Sequence, residues 1–228
     1  PFDRVERPKK NKYHGDNYSE EELAALLELT RSDPIYPAII LAGCMGLRRS
    51  EALGLRWSRI DWEQDTVLLD TKVVEYERDG EKVVEPVEEM KNKSSRRTLP
   101  LPGPVREMLG TEKEKLEIYR KMFGKSYDLQ YLDYVCVDQL GRLIRPSYVT
   151  QHFSDIIKKY GLRKLTFHGL RHTMASILIS HDVPLINVSN FLGHSDISTT
   201  ANIYAHLDKA SKQASADIIT DIFKKDGE

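Results

Sequence analysis

The sequence predicts a mainly α fold of the α+β kind, a helical domain carrying one small antiparallel sheet of three strands. Three observations predict it. Apolar residues recur at helical spacing along most of the chain, β-branched runs are confined between Thr66 and Leu101, and turn residues cut those runs into short pieces. At 228 residues the chain is long enough for a large core, and its 34 Lys+Arg against 35 Asp+Glu are the balance of an ordinary globular protein. No apolar run reaches the roughly 20 residues needed to span a bilayer, and PFDRVERPKK has no apolar signal core, so no membrane partner is expected. Cys44 and Cys136 each stand alone in an apolar stretch, which suggests reduced core thiols and a cytoplasmic location rather than a disulfide framework or a thiolate metal site.

Residues 1–17 mix Pro, Lys, Arg, Asn and Gly, the texture of a solvated linker, with a domain boundary expected near Asn17. In YSEEELAALLELT, Ser19 is placed to N-cap a helix with Glu22 as its capping-box partner, and Leu23, Leu26 and Leu27 share one face. YPAIILAGCMG predicts a second helix that opens near Pro37 and stops at Gly46. A third is expected with Ser50 as N-cap, ending before Asp61. TVLLDTKVVEYE, EKVVEPVEEM and RRTLPL are the three predicted strands, with Asp79-Gly80 as a hairpin turn. Helical spacing returns after Pro104 and holds to Phe123. A short apolar piece, YVCVD, leads to a turn at Gly141, and five more helical segments follow: YVTQHFSDIIKKYG, HGLRHTMASILISHD, PLINVSNFLGH, STTANIYAHL and SKQASADIITDIF.

Chemistry on phosphate oxygens needs fixed positive charge, and the planar fork of arginine supplies it best. Arg48 follows the helix stop at Gly46 and stands three residues before Glu51, which fits either a carboxylate-oriented anion clamp or a solvated intrahelical ion pair. In HGLRH, His168 and Arg171 share a helical face, so a proton-transfer group and an anion clamp point the same way. His172 is four residues from His168, the spacing of a metal-ligand pair. The segment nevertheless lacks the glutamate of HExxH and the cysteines of a zinc cluster, so no metal is expected. By spacing alone His194 ends a helix and Tyr204 is an amphipathic helical residue, while Lys91 and Lys93 sit at a charged turn. No GxGxxG, Walker lysine loop or nucleophile elbow occurs.

Taken in order, GLRRSEALGLRW, MKNKSSRRTLPL, HGLRHTMAS and LGHSDISTTANIYAH resemble the catalytic domain of tyrosine recombinases, the phage-integrase family, most like the integrases of conjugative transposons and prophages. The resemblance covers roughly residues 18–228 and implies a site-specific DNA-recombining enzyme that uses no cofactor. It implies Tyr204 as nucleophile, Arg48 and Arg171 as the catalytic arginines, and Glu51 as the carboxylate supporting Arg48. His168 and His194 would be the two histidines, and Lys91 the general-acid lysine, with Lys93 as its possible substitute. His172 fits the family's HxLRH variant as a packing residue. Residues 1–17 then resemble the linker from an N-terminal core-binding domain, and the start at Pro1 suggests a fragment.

The expected partner is double-stranded DNA. The formal charge of −1 is low for a DNA-binding chain, but residues 158–172 carry Lys158, Lys159, Arg163, Lys164 and Arg171 without an acid, so a one-sided basic face is expected there, joined by Arg96 and Lys93. The tail helix, about residues 211–223, sets Ala214, Ile218 and Ile222 on one stripe beside Ile219 and Phe223. That stripe either packs on its own domain or, as the resemblance implies, docks on a neighbouring copy in a tetramer on DNA. Rival readings are a type IB topoisomerase, a non-catalytic DNA-binding accessory protein, and a metal hydrolase built on His168 and His172.

Overall fold

The computed structural model of the chain describes residues 17–88 and 96–193 together with positions 198 and 201. The readings for residues 1–16, for Lys91 and Lys93, for His194 and Tyr204, and for the tail helix at 211–223 lie outside the described residues. Among the described residues no helix is long and apolar enough to cross a membrane.

Seven α-helices and five short strands follow one another in the described residues. Helix α1 (Glu20–Leu29) has the expected capping box: Ser19 Oγ accepts from the Glu22 N–H at 3.2 Å, and the Glu22 carboxylate accepts from the Ser19 N–H at 2.8 Å. Helix α2 (Tyr36–Met45) is apolar on all sides because it runs through the middle of the core, where Ile39, Leu41 and Met45 are fully buried. It stops at Gly46, whose φ of 63° puts it in the left-handed region. Any Cβ there would come within 2.2 Å of the buried Leu192 side chain.

The third helix differs from its expected form. Arg48, not Ser50, is the N-cap, and α3 (Arg49–Leu53) lasts only five residues before Gly54. The reason is backbone crossing: a Cβ on Gly54 would lie 2.5 Å from the Thr71 carbonyl and 2.7 Å from Lys72 Cα, so the helix ends where the next segment passes over it. A 3-10 turn, Trp57–Arg59, then leads into β1 (Ile60–Asp61).

The sheet also departs from expectation. TVLLDTKVVEYE is two strands, β2 (Thr66–Leu69) and β3 (Lys72–Arg78), separated at Asp70-Thr71. Asp70 breaks the run because its carboxylate is withdrawn into ion pairs with Arg56 at 3.0 Å and Arg59 at 2.7 Å. Among the described residues strand β3 pairs only with β4 (Glu81–Val87), across the expected Asp79-Gly80 turn, where both residues have positive φ. A separate three-stranded antiparallel sheet has the order β1-β2-β5, with β5 (Arg97–Pro100) set so that Val67 faces Leu99 and Leu69 faces Arg97.

Helix α4 (Gly103–Phe123) buries Val105, Met108, Leu109 and Leu116. Helix α5 (Pro146–Lys159) buries Val149, Phe153, Ile156 and Ile157 on one face. Helix α6 (Phe167–Ser180) packs on α2, and α7 (Leu185–Leu192) packs on α6 through Ala175, Ile179, Val188 and Leu192. Cys136 is buried and Cys44 half-buried, both as free thiols.

Candidate active site

Two glycines that end helices build the site's floor. Gly46 closes α2 and Gly193 closes α7, with φ of 63° and 68°, and each offers its carbonyl where the helix dipole is negative. Arg171, on the second turn of α6, donates from Nη1 to the Gly46 carbonyl at 2.8 Å. Arg48 donates from Nη2 to the Gly193 carbonyl at 2.9 Å. Two guanidiniums far apart in sequence are thus fixed by the negative ends of two helices.

Glu51 lies beneath them on α3. Its Oε1 accepts from Arg48 Nη1 at 2.6 Å and its Oε2 from the Arg48 N–H at 3.0 Å. A third guanidinium completes the cluster: Arg97, at the start of β5, donates from Nη2 to Glu51 Oε2 at 3.1 Å and from Nε to the Phe191 carbonyl at 3.0 Å. Burial by itself would raise the Glu51 carboxyl, but the charges and hydrogen bonds of Arg97 and Arg48 outweigh it and hold the group ionised, below its ordinary range. One carboxylate among three guanidiniums leaves the cluster net positive. Only Arg48 is substantially open to solvent, its side chain 36% exposed against 11% for Glu51 and 9% for Arg97, so an incoming anion meets Arg48 first.

Helix α6 carries the remaining groups. Thr166 caps it, its Oγ1 accepting from the Gly169 N–H at 3.0 Å, and this starts the helix so that His168 and Arg171 fall on the site side. Burial, then His172, Arg171 and Arg48, push the His168 imidazole down to about 4, so it is neutral near pH 7 and a weak proton acceptor in the free protein. Burial, then the neighbouring Arg48, lowers Arg171 to about 9, which leaves it charged near pH 7. The His168 and His172 rings meet edge to face, centroids 4.7 Å apart, as packed neighbours do. Among the described residues no group of three or more His, Cys, Asp and Glu side chains converges to hold a metal ion.

The structure therefore brings Arg48, Glu51, His168 and Arg171 to one locus. Lys91, His194 and Tyr204 lie outside the described residues, although α7 ends two positions before His194. Arg97 is not among the sequence-predicted site residues; its neighbour Arg96, expected on the DNA face, is exposed. The available signal was the alternation in RTLP, which turns Arg97 to the same side as the buried Leu99 and leaves Arg96 exposed.

The expected basic face is narrower than its sequence. Arg171 is buried, and the Arg163 fork holds Glu22 at 2.9 and 2.7 Å, lies 5.1 Å over the Tyr18 ring and donates to the Asn17 carbonyl. Arg163 thus fastens the start of α1 to the loop before α6, its charge paired with Glu22 while its side chain stays 42% exposed. Lys158, Lys159 and Lys164 remain exposed, Lys158 with a loose contact to Asp155 at 3.8 Å.

The profile of the phage integrase family matches residues 17–211. A tyrosine recombinase XerC-like protein of Caldanaerobacter subterraneus subsp. tengcongensis is 31% identical over 214 residues, covering 91% of this chain and 54% of the relative. Tyrosine recombinase XerC of Bacillus pumilus is 31% identical over 219 residues, covering 92% and 63%. The chain thus spans a little over half to under two thirds of the length of these curated relatives. Among solved structures, the Tn1549 transposon integrase in complex with a circular intermediate DNA superposes with a TM-score of 0.74 at 19% identity, over 92% of this chain and 68% of that one. XerA recombinase superposes at 0.63 with 21% identity, over 92% and 65%. At such identities these structures speak to the fold, a recombinase catalytic-domain fold, while the profile match over most of the chain settles descent: the protein belongs to the phage integrase family of tyrosine recombinases.

Proposed function

We propose that residues 18–228 form the catalytic domain of a site-specific DNA recombinase of a mobile element, which cuts and rejoins duplex DNA through a 3′-phosphotyrosyl intermediate. The observation that carries the reading is the pairing of Arg48 and Arg171 on the carbonyls of Gly193 and Gly46, with Glu51 behind and His168 beside them. Two oriented guanidiniums suit the two non-bridging oxygens of one phosphodiester.

In this reading Tyr204 Oη attacks phosphorus and passes its proton to neutral His168. The new bond joins Tyr204 to the 3′-phosphate; the P–O5′ bond breaks, and the 5′-oxygen leaves with a proton from Lys91. Arg48, Arg171 and His194 carry the charge of the pentacoordinate intermediate. The phosphotyrosyl ester conserves the energy of the broken bond, so a partner strand's 5′-hydroxyl reverses the step without ATP. The remaining parts of the proposal are assembly and place: a tetramer on two DNA sites, joined through the tail at 211–223, acting in a prokaryotic cytoplasm on the nucleoid.

The test is covalent capture. A library of nicked duplexes with randomised sequence, in which the short 5′-hydroxyl fragment diffuses away after cleavage, should yield DNA attached to the wild-type chain. Tyr204→Phe should capture none while binding the recovered duplex with nearly unchanged affinity. An adduct on another tyrosine, or none with wild type, would overturn the reading.

A further inference from the structure

We infer that Arg97 is a positioning residue for strand cleavage, fixing Arg48 through Glu51 and the end of α7 through the Phe191 carbonyl; the inference rests on the recombinase reading above. The side chain reaches three elements at once. It stands on β5, donates to both Glu51 oxygens on α3, at 3.1 Å to Oε2 and 3.4 Å to Oε1, and donates from Nε to Phe191 at the last turn of α7 at 3.0 Å. A guanidinium has donors on separate edges of a rigid plane, so this three-way junction is open to arginine and closed to lysine, which offers a single point charge.

The consequence for Arg48 follows from sharing. Glu51 has two oxygens, and Arg97 engages both, so the Arg48 side chain holds Oε1 through Nη1 alone and turns Nη2 to the Gly193 carbonyl. Without Arg97, the buried carboxylate would draw the Arg48 fork onto both its oxygens, away from Gly193 and from a phosphate. The consequence for α7 is geometric. Arg97 lies six residues after Lys91 in the chain, and Phe191 three residues before His194, so the Nε bond ties the strand following one proposed catalytic group to the helix preceding another. Stability gives no reason for this arrangement. Arg97 is only 9% exposed, and a buried ion pair adds little net stability while the third like charge adds repulsion.

The test uses the full chain and the duplex recovered by covalent capture, with single-turnover adduct formation read for wild type, Arg97→Met and Arg97→Lys on a normal scissile phosphate and on a neutral methylphosphonate. Folded fraction and DNA affinity are read alongside. Arg97→Met should slow adduct formation by about a hundredfold on the phosphate, with affinity within about threefold, the scale of a misplaced reacting group. Arg97→Lys, which keeps the charge and spares the core, should lose about tenfold or more, because its three donors radiate from a single nitrogen and cannot span acceptors that a guanidinium reaches from separate edges. On the methylphosphonate, whose missing charge relieves Arg48 of its task, both losses should shrink several-fold. Equal losses on the two substrates, a loss that only follows the folded fraction, or Arg97→Lys reacting at the wild-type rate would overturn the positioning role. A wild-type chain that forms no adduct on any duplex would instead overturn the recombinase reading on which the inference stands.

Discussion

The His168 imidazole is pushed down to about 4 although the residue keeps an exposed edge: desolvation of the ring by the protein around it, His172 against it, and two guanidiniums nearby together disfavour the charged imidazolium. In the free protein its ring nitrogens should therefore stay neutral by NMR down to about pH 4, and titration near 6.5 would contradict the geometry. The same shift has a sign for stability. As pH falls from 6.5 towards 4 the unfolded chain takes up a proton at His168 that the folded chain refuses, so stability should drop across that window, and less so in His168→Gln. Arg48→Ala should slow adduct formation by about a hundred- to a thousandfold, the scale of one lost donor to a charged intermediate. The pairs Arg48 with Glu51 and His168 with Arg171 were legible as neighbours from their three-residue spacing, but more than a hundred residues separate the pairs, and only the family resemblance put them in one site. Arg97 was not legible, because it is one of two adjacent arginines and only strand register decides which of them turns inward beside Leu99.

Helix starts and stops that depend on local chemistry could be read directly. Ser19 with Glu22 and the left-handed Gly46 are contacts within one turn of chain. What escaped was set by distant backbone: α3 ends early because Thr71 and Lys72 cross Gly54, and the long β-branched run splits because Asp70 is committed to Arg56 and Arg59. Gly54→Ala should accordingly cost about 2 kcal/mol in denaturant unfolding, since the crossing backbone rather than a mobile side chain must yield. A variant as stable as wild type would mean that the crossing is looser than described. The β3–β4 hairpin needs an anchor, because two strands alone are marginal. Val73 is buried, and Glu75 accepts from the Ser147 N–H at 2.7 Å and from Ser147 Oγ at 2.8 Å. Glu75→Gln should speed amide exchange along β3 and β4 while leaving β2 and β5 unchanged, and uniform exchange would show that Val73 alone suffices.

The near-neutral charge of the chain resolves once its cations are sorted by use. Arg48 and Arg97 hold Glu51, Arg171 is buried on the Gly46 carbonyl, Arg163 holds Glu22, and Lys158, Lys159 and Lys164 stay exposed. The hydrogen bonds from Arg163 and from the Ser19 N–H hold Glu22 down at about 2. Its contribution to stability is thus present above about 4.5 and lost as pH falls towards 2, a limb that Arg163→Ala should flatten in acid-unfolding curves. The same variant should leave the salt dependence of DNA affinity unchanged, whereas reversing Lys158, Lys159 or Lys164 should reduce the slope by about 0.9 for each phosphate that is no longer neutralised. A smaller slope in Arg163→Ala would return that residue to the DNA face. The expectations for Arg48, Arg97 and Tyr204 depend on one reaction, so the decisive measurement is peptide mapping of the covalent DNA adduct formed by the wild-type chain on a nicked duplex. The account predicts a single phosphotyrosine ester at Tyr204, absent in Tyr204→Phe; an adduct at any other residue, or its persistence in that variant, would contradict it.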